Sequence, residues 1–315
     1  MSVRGDRVMS IYWRGMLCLT AGMAMLLASC TPAQEAAPEP TAAPAAAVET
    51  IEEETTGRPA GVPAAGESAV VDRIYENGVL RGGCAPTPPH CMVDPDTNEW
   101  IGLGPETGKK LAEAMGVEYE TVGVGWDAIV AGLPSGQFDV VVTGLTYRPE
   151  RDEVVDFTIL GQYGFCVLAR ADDDRVQTWD SFVDNPELRL GQITGVAEEG
   201  MVQTDYPSIN LVSIPTEGHS LWEEVLTNRI DGTLMGSISV PIYIELGDGN
   251  LKAVPDDCLA APLFGSEWGN AVAESDPILG YVESTIAELK DNGEWDELIE
   301  YWYQPDVLRM GIDAP

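Results

Sequence analysis

The sequence predicts an α/β protein between about residues 70 and 305, on two observations. Short apolar runs bounded by turn residues alternate with stretches of helical period, the pattern of strands and helices packed in layers. Apolar residues make up 44% of the 315-residue chain, enough to build a core. The length suits one or two domains, and no repeat of about 20–50 residues is evident.

Val79–Cys84 reads as the first strand. Glu106–Met115 has helical spacing, with Leu111, Ala114 and Met115 on one face and Lys109 and Lys110 outside. Tyr119–Val122 follows as a strand and Trp126–Leu133 as a short helix. Phe138–Thr143 is a buried strand, and Gly144–Glu150 is the polar loop after it. Tyr163–Ala169 is another strand, ending in the acidic turn Asp172–Asp174. A second series runs through strand Leu188–Ile193, a helix from about Ala197 and strand Leu211–Ile214. It continues with helix Leu221–Asn228 and strands Thr233–Met235, Leu251–Val254 and Gly269–Ala273. Helices Ile278–Lys290 and Trp295–Tyr303 close the fold.

With 17 Lys+Arg against 52 Asp+Glu the formal charge is -35. That excludes a nucleic-acid binder, which needs basic surface to neutralise phosphates, and a polybasic contact with anionic lipid. The acidity is read as a solubility feature. At the N-terminus Arg4, Arg7 and Arg14 precede an apolar run, Met16–Leu27. The run is shorter than the ~20 residues that span a bilayer but suits an export signal. It ends in Leu27-Ala28-Ser29-Cys30, which resembles the bacterial lipoprotein signal, whose cysteine receives a diacylglycerol. Residues 1–29 are therefore expected to be a lipoprotein signal peptide, with Cys30 as the lipidation site. Residues 30–69, rich in Ala, Pro and Glu, are expected to form a disordered tether, since this composition buries no core. The expected location is the cell envelope, lipid-anchored on the periplasmic or extracellular face.

Cys84, Cys91, Cys166 and Cys258 remain in an oxidising compartment, where four cysteines allow three pairings. Cys84–Cys91 would close a short Pro-rich loop, with Cys166–Cys258 as its complement; the sequence alone does not fix this. Only two histidines, His90 and His219, and no paired C-x2-C are present, so no metal is expected, and no cofactor. Asp94–Glu99 resembles the start of a calcium loop but lacks its sixth-position Gly and twelfth-position acid, and reads as a solvated hairpin turn.

Several local strings, in order, resemble one family over residues 72–303: the family 3 extracellular solute-binding proteins, the polar-amino-acid receptors of ABC importers. They include Asn77-Gly-Val-Leu-Arg81, Val124-Gly-Trp-Asp-Ala-Ile-Val-Ala-Gly-Leu133 and Ser135-Gly-Gln-Phe-Asp139. Thr143-Gly-Leu-Thr-Tyr-Arg-Pro-Glu-Arg151, Val155-Asp-Phe157, Asn228-Arg-Ile-Asp231, Glu267-Trp-Gly-Asn-Ala-Val-Ala273 and Leu289-Lys-Asp-Asn-Gly293 follow. The resemblance implies a two-lobed, type II periplasmic-binding-protein-like α/β fold with two hinge strands, Tyr163–Ala169 and Trp268–Ala273, and a ligand cleft between the lobes. The first lobe would take residues 70–167 and 268–305, the second 168–267, and 306–315 would be a tail. Closure of two lobes on a guest is a known class of transition.

The resemblance also supplies site expectations. Thr146 and Arg151, past the end of strand 138–143, match positions that hold a ligand carboxylate, and Gly144 lies in the same loop. Arg suits that role because its fork donates two parallel bonds to one carboxylate; the alternative is a surface pair with Glu150 or Asp152. Val196 and Ala197 open a helix whose free N–H groups form an anion site, or else a plain strand–helix turn. Trp126 offers a stacking face to the ligand or packs in the core. His90 stands where the family has an aromatic wall, or is incidental.

Two departures stand out. The acid that pairs with a ligand ammonium is replaced by Gly236, followed by Ser237, and a first-lobe loop has Ala85 in place of Asp. Glu217 and Glu198 are candidate substitutes. Arg148 adds a second cation, which together tilts the expectation toward an acidic guest. The expected function is a non-enzymatic, monomeric solute-binding lipoprotein that delivers a small carboxylate-bearing solute to an ABC permease. The alternatives are a sensing module for a separate signalling partner, or a dehydratase-type enzyme on the same scaffold. No catalytic residue is expected.

Overall fold

The computed structural model describes residues 57–215 and 220–312. The expected signal peptide, Cys30, most of the tether, and Glu217 and His219 lie outside the described residues. In chain order the first half holds α1 (Ala69–Asn77), β1 (Val79–Cys84), β2 (Met92–Val93), β3 (Trp100–Ile101) and α2 (Leu103–Met115). Then come β4 (Glu118–Gly123), β5 (Val140–Thr146), α3 (Pro149–Asp152) and β6 (Val155–Arg170). The second half holds α4 (Asp180–Asp184), β7 (Arg189–Ile193), α5 (Ala197–Asp205), β8 (Asn210–Ile214), α6 (Leu221–Leu226) and β9 (Gly232–Gly236). It continues through α7 (Val240–Leu246), β10 (Leu251–Val254), β11 (Phe264–Ala273), α8 (Ile278–Asp291), α9 (Glu294–Trp302) and α10 (Pro305–Ile312).

Nine strands form one sheet in the order β4-β1-β5-β11-β6-β9-β7-β8, with β10 on β6. The outer trios, β4-β1-β5 and β9-β7-β8, are parallel. Such strands are buried on both faces, and β5 accordingly has no exposed residue. Two antiparallel strands join the trios. β6 pairs with β11 from Val155 to Phe165, then with β9 and β10 from Phe165 to Arg170. The sheet is thus two α/β lobes linked by two long crossing strands. Each lobe has its own apolar clusters. One gathers Leu80, Val142, Leu111 and Ile286; another gathers Phe182, Leu190, Val202 and Leu234.

Local chemistry fixes the elements. Ser68 caps α1 by accepting from the Val71 N–H at 2.9 Å, which meets one orphan donor of the first turn. The helix buries Val70, Val71 and Ile74 and stops at Gly78 in the left-handed region. Disulfides join Cys84 to Cys91 and Cys166 to Cys258.

Several sequence expectations change. Residues 57–68 do not belong to a tether: Arg58 pairs with Asp72 at 2.7 Å and stacks over Tyr75, while Val62 packs on the core. The tail is not free either, since it forms α10 and buries Val307 and Leu308. Trp126–Leu133 makes turns rather than a helix, because glycines at 125 and 132 and Pro134 break so short a run. Helix α2 starts at Leu103, three residues early, and its buried face includes Leu111, Ala112 and Met115 while Ala114 is exposed. The hinge strands are much longer than their apolar centres suggest.

A candidate solute-binding cleft between the lobes

The carboxyl ends of the parallel strands in both lobes face a cavity of about 1030 Å³. Clefts at such strand ends are where open α/β sheets take ligands, and ligand pockets commonly fall near or below this size. The first lobe supplies the segment Pro86–His90, Trp100, Gly123–Trp126, Gly144 and Thr146. The hinge gives Tyr163 and Phe165. The second lobe gives Gln192, Ile193, Val196–Glu198, Trp222, Met235 and Gly236. Tyr303, just past α9, closes one side.

The first-lobe wall is braced from behind. The Cys84–Cys91 disulfide closes the loop that carries Pro86–His90. The His90 ring meets the edge of Trp268 at 4.4 Å between centroids, and its Nε2 lies 3.2 Å from the Tyr303 hydroxyl. Burial drives the imidazole pKa down to about 3, so it is neutral. Gly144 has φ +69° and lies under this ring; a Cβ there would sit 2.6 Å from it. Trp126 donates from its indole N–H to Pro86 O at 3.1 Å, which fixes the ring at the mouth. The Thr146 and Tyr163 hydroxyls share a hydrogen bond, and burial raises the Tyr163 phenol pKa.

Arg151 does not line the cavity. One terminal nitrogen donates to Thr146 O at 2.9 Å and the other to Gly195 O at 2.9 Å. The second bond crosses from one lobe to the other. Gly195 makes that approach possible: its φ is +88°, and a Cβ would lie 2.5 Å from the Asp127 backbone nitrogen. The expected carboxylate clamp is therefore, in this structure, an interlobe tie. Arg148 is also elsewhere. It pairs with Glu150 at 3.2 Å and approaches Asp205 at 4.0 Å, and it lines a second cavity of about 680 Å³ on the far side of Thr146, Tyr163 and Glu198. Neither surface-pair partner expected for Arg151 is used.

The start of α5 is likewise occupied. The Gly195 N–H donates to Glu199 Oε2 at 2.7 Å, and the Ser213 hydroxyl bonds the other oxygen of that carboxylate. The Val196 N–H goes to Ile193 O. Val196 and Ala197, where an anion site is expected, line the cavity; the N–H groups of Gly195 and Val196 are taken by the chain itself. Ser237 is buried, donates its N–H to Gly164 O at 2.7 Å and does not line the cavity, although Gly236 and Ser239 do.

Glu198 is the group the sequence undervalued. It lines both cavities, and burial raises its carboxyl pKa, opposed by its own backbone N–H and by the fields of Arg151 and Arg148. Among the described residues no Lys or Arg forms a salt bridge with it. The charged residues lining the larger cavity are Glu198 and Glu223, both acids. Around them stand Trp100, Trp126, Trp222, Tyr163, Tyr243 and Tyr303. Of these only Trp126 was singled out from the sequence; the others lie in elements whose aromatic residues equally suit a core.

Two lobes on two crossing strands, with a polar and aromatic cleft at the strand ends, define a type II periplasmic-binding-protein fold. The comparisons place it further. Residues 80–305 match the model of the bacterial extracellular solute-binding proteins, family 3, and the chain belongs to that family. ABC transporter arginine-binding protein 1 of Escherichia coli is similar, at 23% identity over 65% of this chain and 83% of its own length. A mutant of ArgBP from T. maritima aligns with 26% identity and a TM-score of 0.64, over 74% of this chain and 99% of that one. A putative binding component of an ABC transporter from Wolinella succinogenes, complexed with lysine, aligns with 28% identity and a TM-score of 0.62, over 72% and 96%.

Proposed function

We propose that this protein is the extracytoplasmic receptor of an ABC importer, held at the membrane by a lipid on Cys30, and that it closes two lobes on a small positively charged solute. The observation that carries the charge is the lining of the cleft: aromatic faces around Glu198 and Glu223, with neither Arg148 nor Arg151 reaching it. A cation over aromatic rings gains about 0.5–2 kcal/mol, more as water leaves. A partly buried carboxylate that forms no salt bridge among the described residues favours a guest that neutralises it. The net charge of -35 draws cations toward the mouth. Relatives named for arginine, and one structure complexed with lysine, support a basic solute. The acidic guest expected from Arg151 and Arg148 has less support, because both guanidiniums are engaged elsewhere.

The test is a thermal-shift and calorimetric screen of the secreted chain against basic solutes (arginine, lysine, agmatine, choline) and acidic ones (glutamate, succinate). Saturating ligand raises stability by an amount that grows with concentration, about 2.7 kcal/mol at a hundred times Kd. Basic compounds are expected to register. A response confined to glutamate or succinate rejects the reading. Recovery of the bound compound unchanged by mass separates a receptor from a dehydratase.

A further inference from the structure

We infer that the solute this cleft is built for carries a positive charge and no carboxylate: an organic amine, a guanidine or an alkylated ammonium rather than a whole α-amino acid. This deepens the receptor reading and rests on it. The two guanidiniums that could grip a carboxylate, and two of the N–H groups beside them, are already engaged. Arg151 gives its two terminal nitrogens to Thr146 O and Gly195 O. Arg148 faces Glu150 and Asp205 in the other cavity. At the start of α5 the chain's own Glu199 carboxylate takes the Gly195 N–H, and Ile193 O takes the Val196 N–H.

The charge balance points the same way. A carboxylate entering the cleft would meet Glu198 and Glu223 and no Lys or Arg among the described lining residues. Like charges at close range in a partly desolvated space repel, and a buried ion without a partner is costly. A cation faces the opposite situation. Glu198 neutralises it, and burial raises its carboxyl pKa even though the fields of Arg151 and Arg148 oppose that rise. Trp126 on one lobe and Trp222 on the other line the same cavity and offer it aromatic surface. Gly236 adds no side chain, and a Cβ there would meet open space, so this position, where an acid is expected for an α-ammonium group, supplies none.

The experiment compares molecules that differ by the carboxylate alone. Arginine and agmatine share a guanidinium, and lysine and cadaverine share an ammonium; each pair is titrated into the wild-type chain and into Glu198→Gln. Agmatine and cadaverine are expected to bind at least about tenfold more tightly than their amino acids, with Glu198→Gln weakening both members of a pair by about 100-fold. Arginine or lysine binding as well as or better than its decarboxylated partner overturns the inference and leaves the receptor reading intact. Failure of every cation to bind, with or without a response to glutamate, overturns both. If Glu198→Gln proves unstable, Trp222→Ala read by the same pairs supplies the second arm: equal affinity to wild type for agmatine removes the aromatic half of the argument.

Discussion

The two lobes are anchored by the same device and differ where they meet. In the first, Asp139 accepts from the Arg81 N–H at 2.8 Å and from the Arg81 and Arg73 guanidiniums, while its own N–H returns to Arg81 O. In the second, Asp231 accepts from the Arg189 N–H at 2.8 Å and from the Arg189 and Arg175 guanidiniums, and its N–H returns to Arg189 O. Both acids are almost wholly buried, at 1% and 2% exposure, and both are matched. Glu198 at the cleft is only partly buried, and among the described residues no guanidinium forms a salt bridge with it. A buried charge surrounded by partners organises a fold; one left short of them marks a place where something else binds.

The comparison breaks most readily at the crosslinks. Cys166–Cys258 closes a separation of 92 residues and Cys84–Cys91 one of 7. In the chain-entropy account these stabilise by about 4–5 and about 2 kcal/mol. Replacing each pair by alanines and unfolding in urea is expected to show the second-lobe bridge costing roughly twice as much, whereas the first-lobe bridge costs chiefly ligand affinity, since its loop carries Pro86–His90. Equal losses of stability would mean the lobes do not unfold as one unit.

Next come the anchors. Asp139→Ala strands the Arg73 and Arg81 guanidiniums, whereas Asp231→Ala leaves Arg175 on Asp173, and breaking a buried pair costs about 3–5 kcal/mol. The lower end is expected because the arginines are themselves partly exposed, from 23% to 50%. Asp139→Ala is expected to cost the more of the two, because only in the second lobe does a guanidinium keep another carboxylate; equal losses would show that Asp173 adds nothing to that anchor. Arg151→Ala is expected to cost less, about 1.5–3 kcal/mol for a charged hydrogen bond to a carbonyl, and the cost should fall on lobe closure. Small-angle scattering is then expected to show a more open chain at unchanged melting of each lobe. An unaltered profile would show that the bond to Gly195 does not hold the lobes together.

Glu198 makes a pH prediction whose two halves have opposite signs. Its pKa is raised in the empty folded chain, so the folded state binds more protons than the unfolded one from the ordinary carboxylate range up to the shifted value. Stability of the unliganded protein therefore falls as pH rises through that window. Affinity for a cation rises over the same window, because the ionised carboxylate is the binding form. Arg151, Arg148 and the Tyr163 phenol face this group, and Arg151 and Tyr163 keep their protonation there. Glu198→Gln should flatten both slopes. His90, with its pKa depressed to about 3, acts in the other direction: its stabilising contribution is present above the ordinary histidine range and fades as pH falls toward 3. Comparing Glu198→Gln with wild type cancels it.

Much of the architecture was legible because its signals are local. Parallel strands buried on both faces leave apolar runs such as Val140–Val142, and β1 and β10 have the bounds expected from their runs. The crossing strands were only half visible, because outside their centres β6 and β11 alternate and expose residues such as Ile159. Motif positions led to the right loops but not to the directions of their side chains. Thr146, Gly144, Trp126, His90, Val196 and Ala197 do gather at the cleft. Arg151 is turned aside by two carbonyls, one of them 44 residues away in sequence on the other lobe, and no local pattern encodes that bond. Tyr303 and Trp222 reach the cleft by tertiary packing alone.

The smallest expected effect is a gain. Gly236 lines the cleft, and a side chain there would meet open space within 4 Å. Its φ lies outside the left-handed region, so an aspartate is sterically admitted. Gly236→Asp is therefore expected to fold with stability within about 0.5 kcal/mol of wild type, as for substitutions that disturb no packing. It adds an acid to a lining that already holds Glu198 and Glu223, so that an α-ammonium and a side-chain cation of one guest can each find a carboxylate. Arginine should gain about 1 kcal/mol, the upper range of a partly solvated ion pair, which is roughly fivefold in Kd. Butylguanidine, which keeps the guanidinium but has no ammonium group, should gain little. The ratio of the two affinities thus moves toward arginine in the variant. An unchanged ratio would mean that the glycine is not what keeps an α-ammonium group out, and the preference would have to lie in the occupied α5 terminus and the tied Arg151 alone.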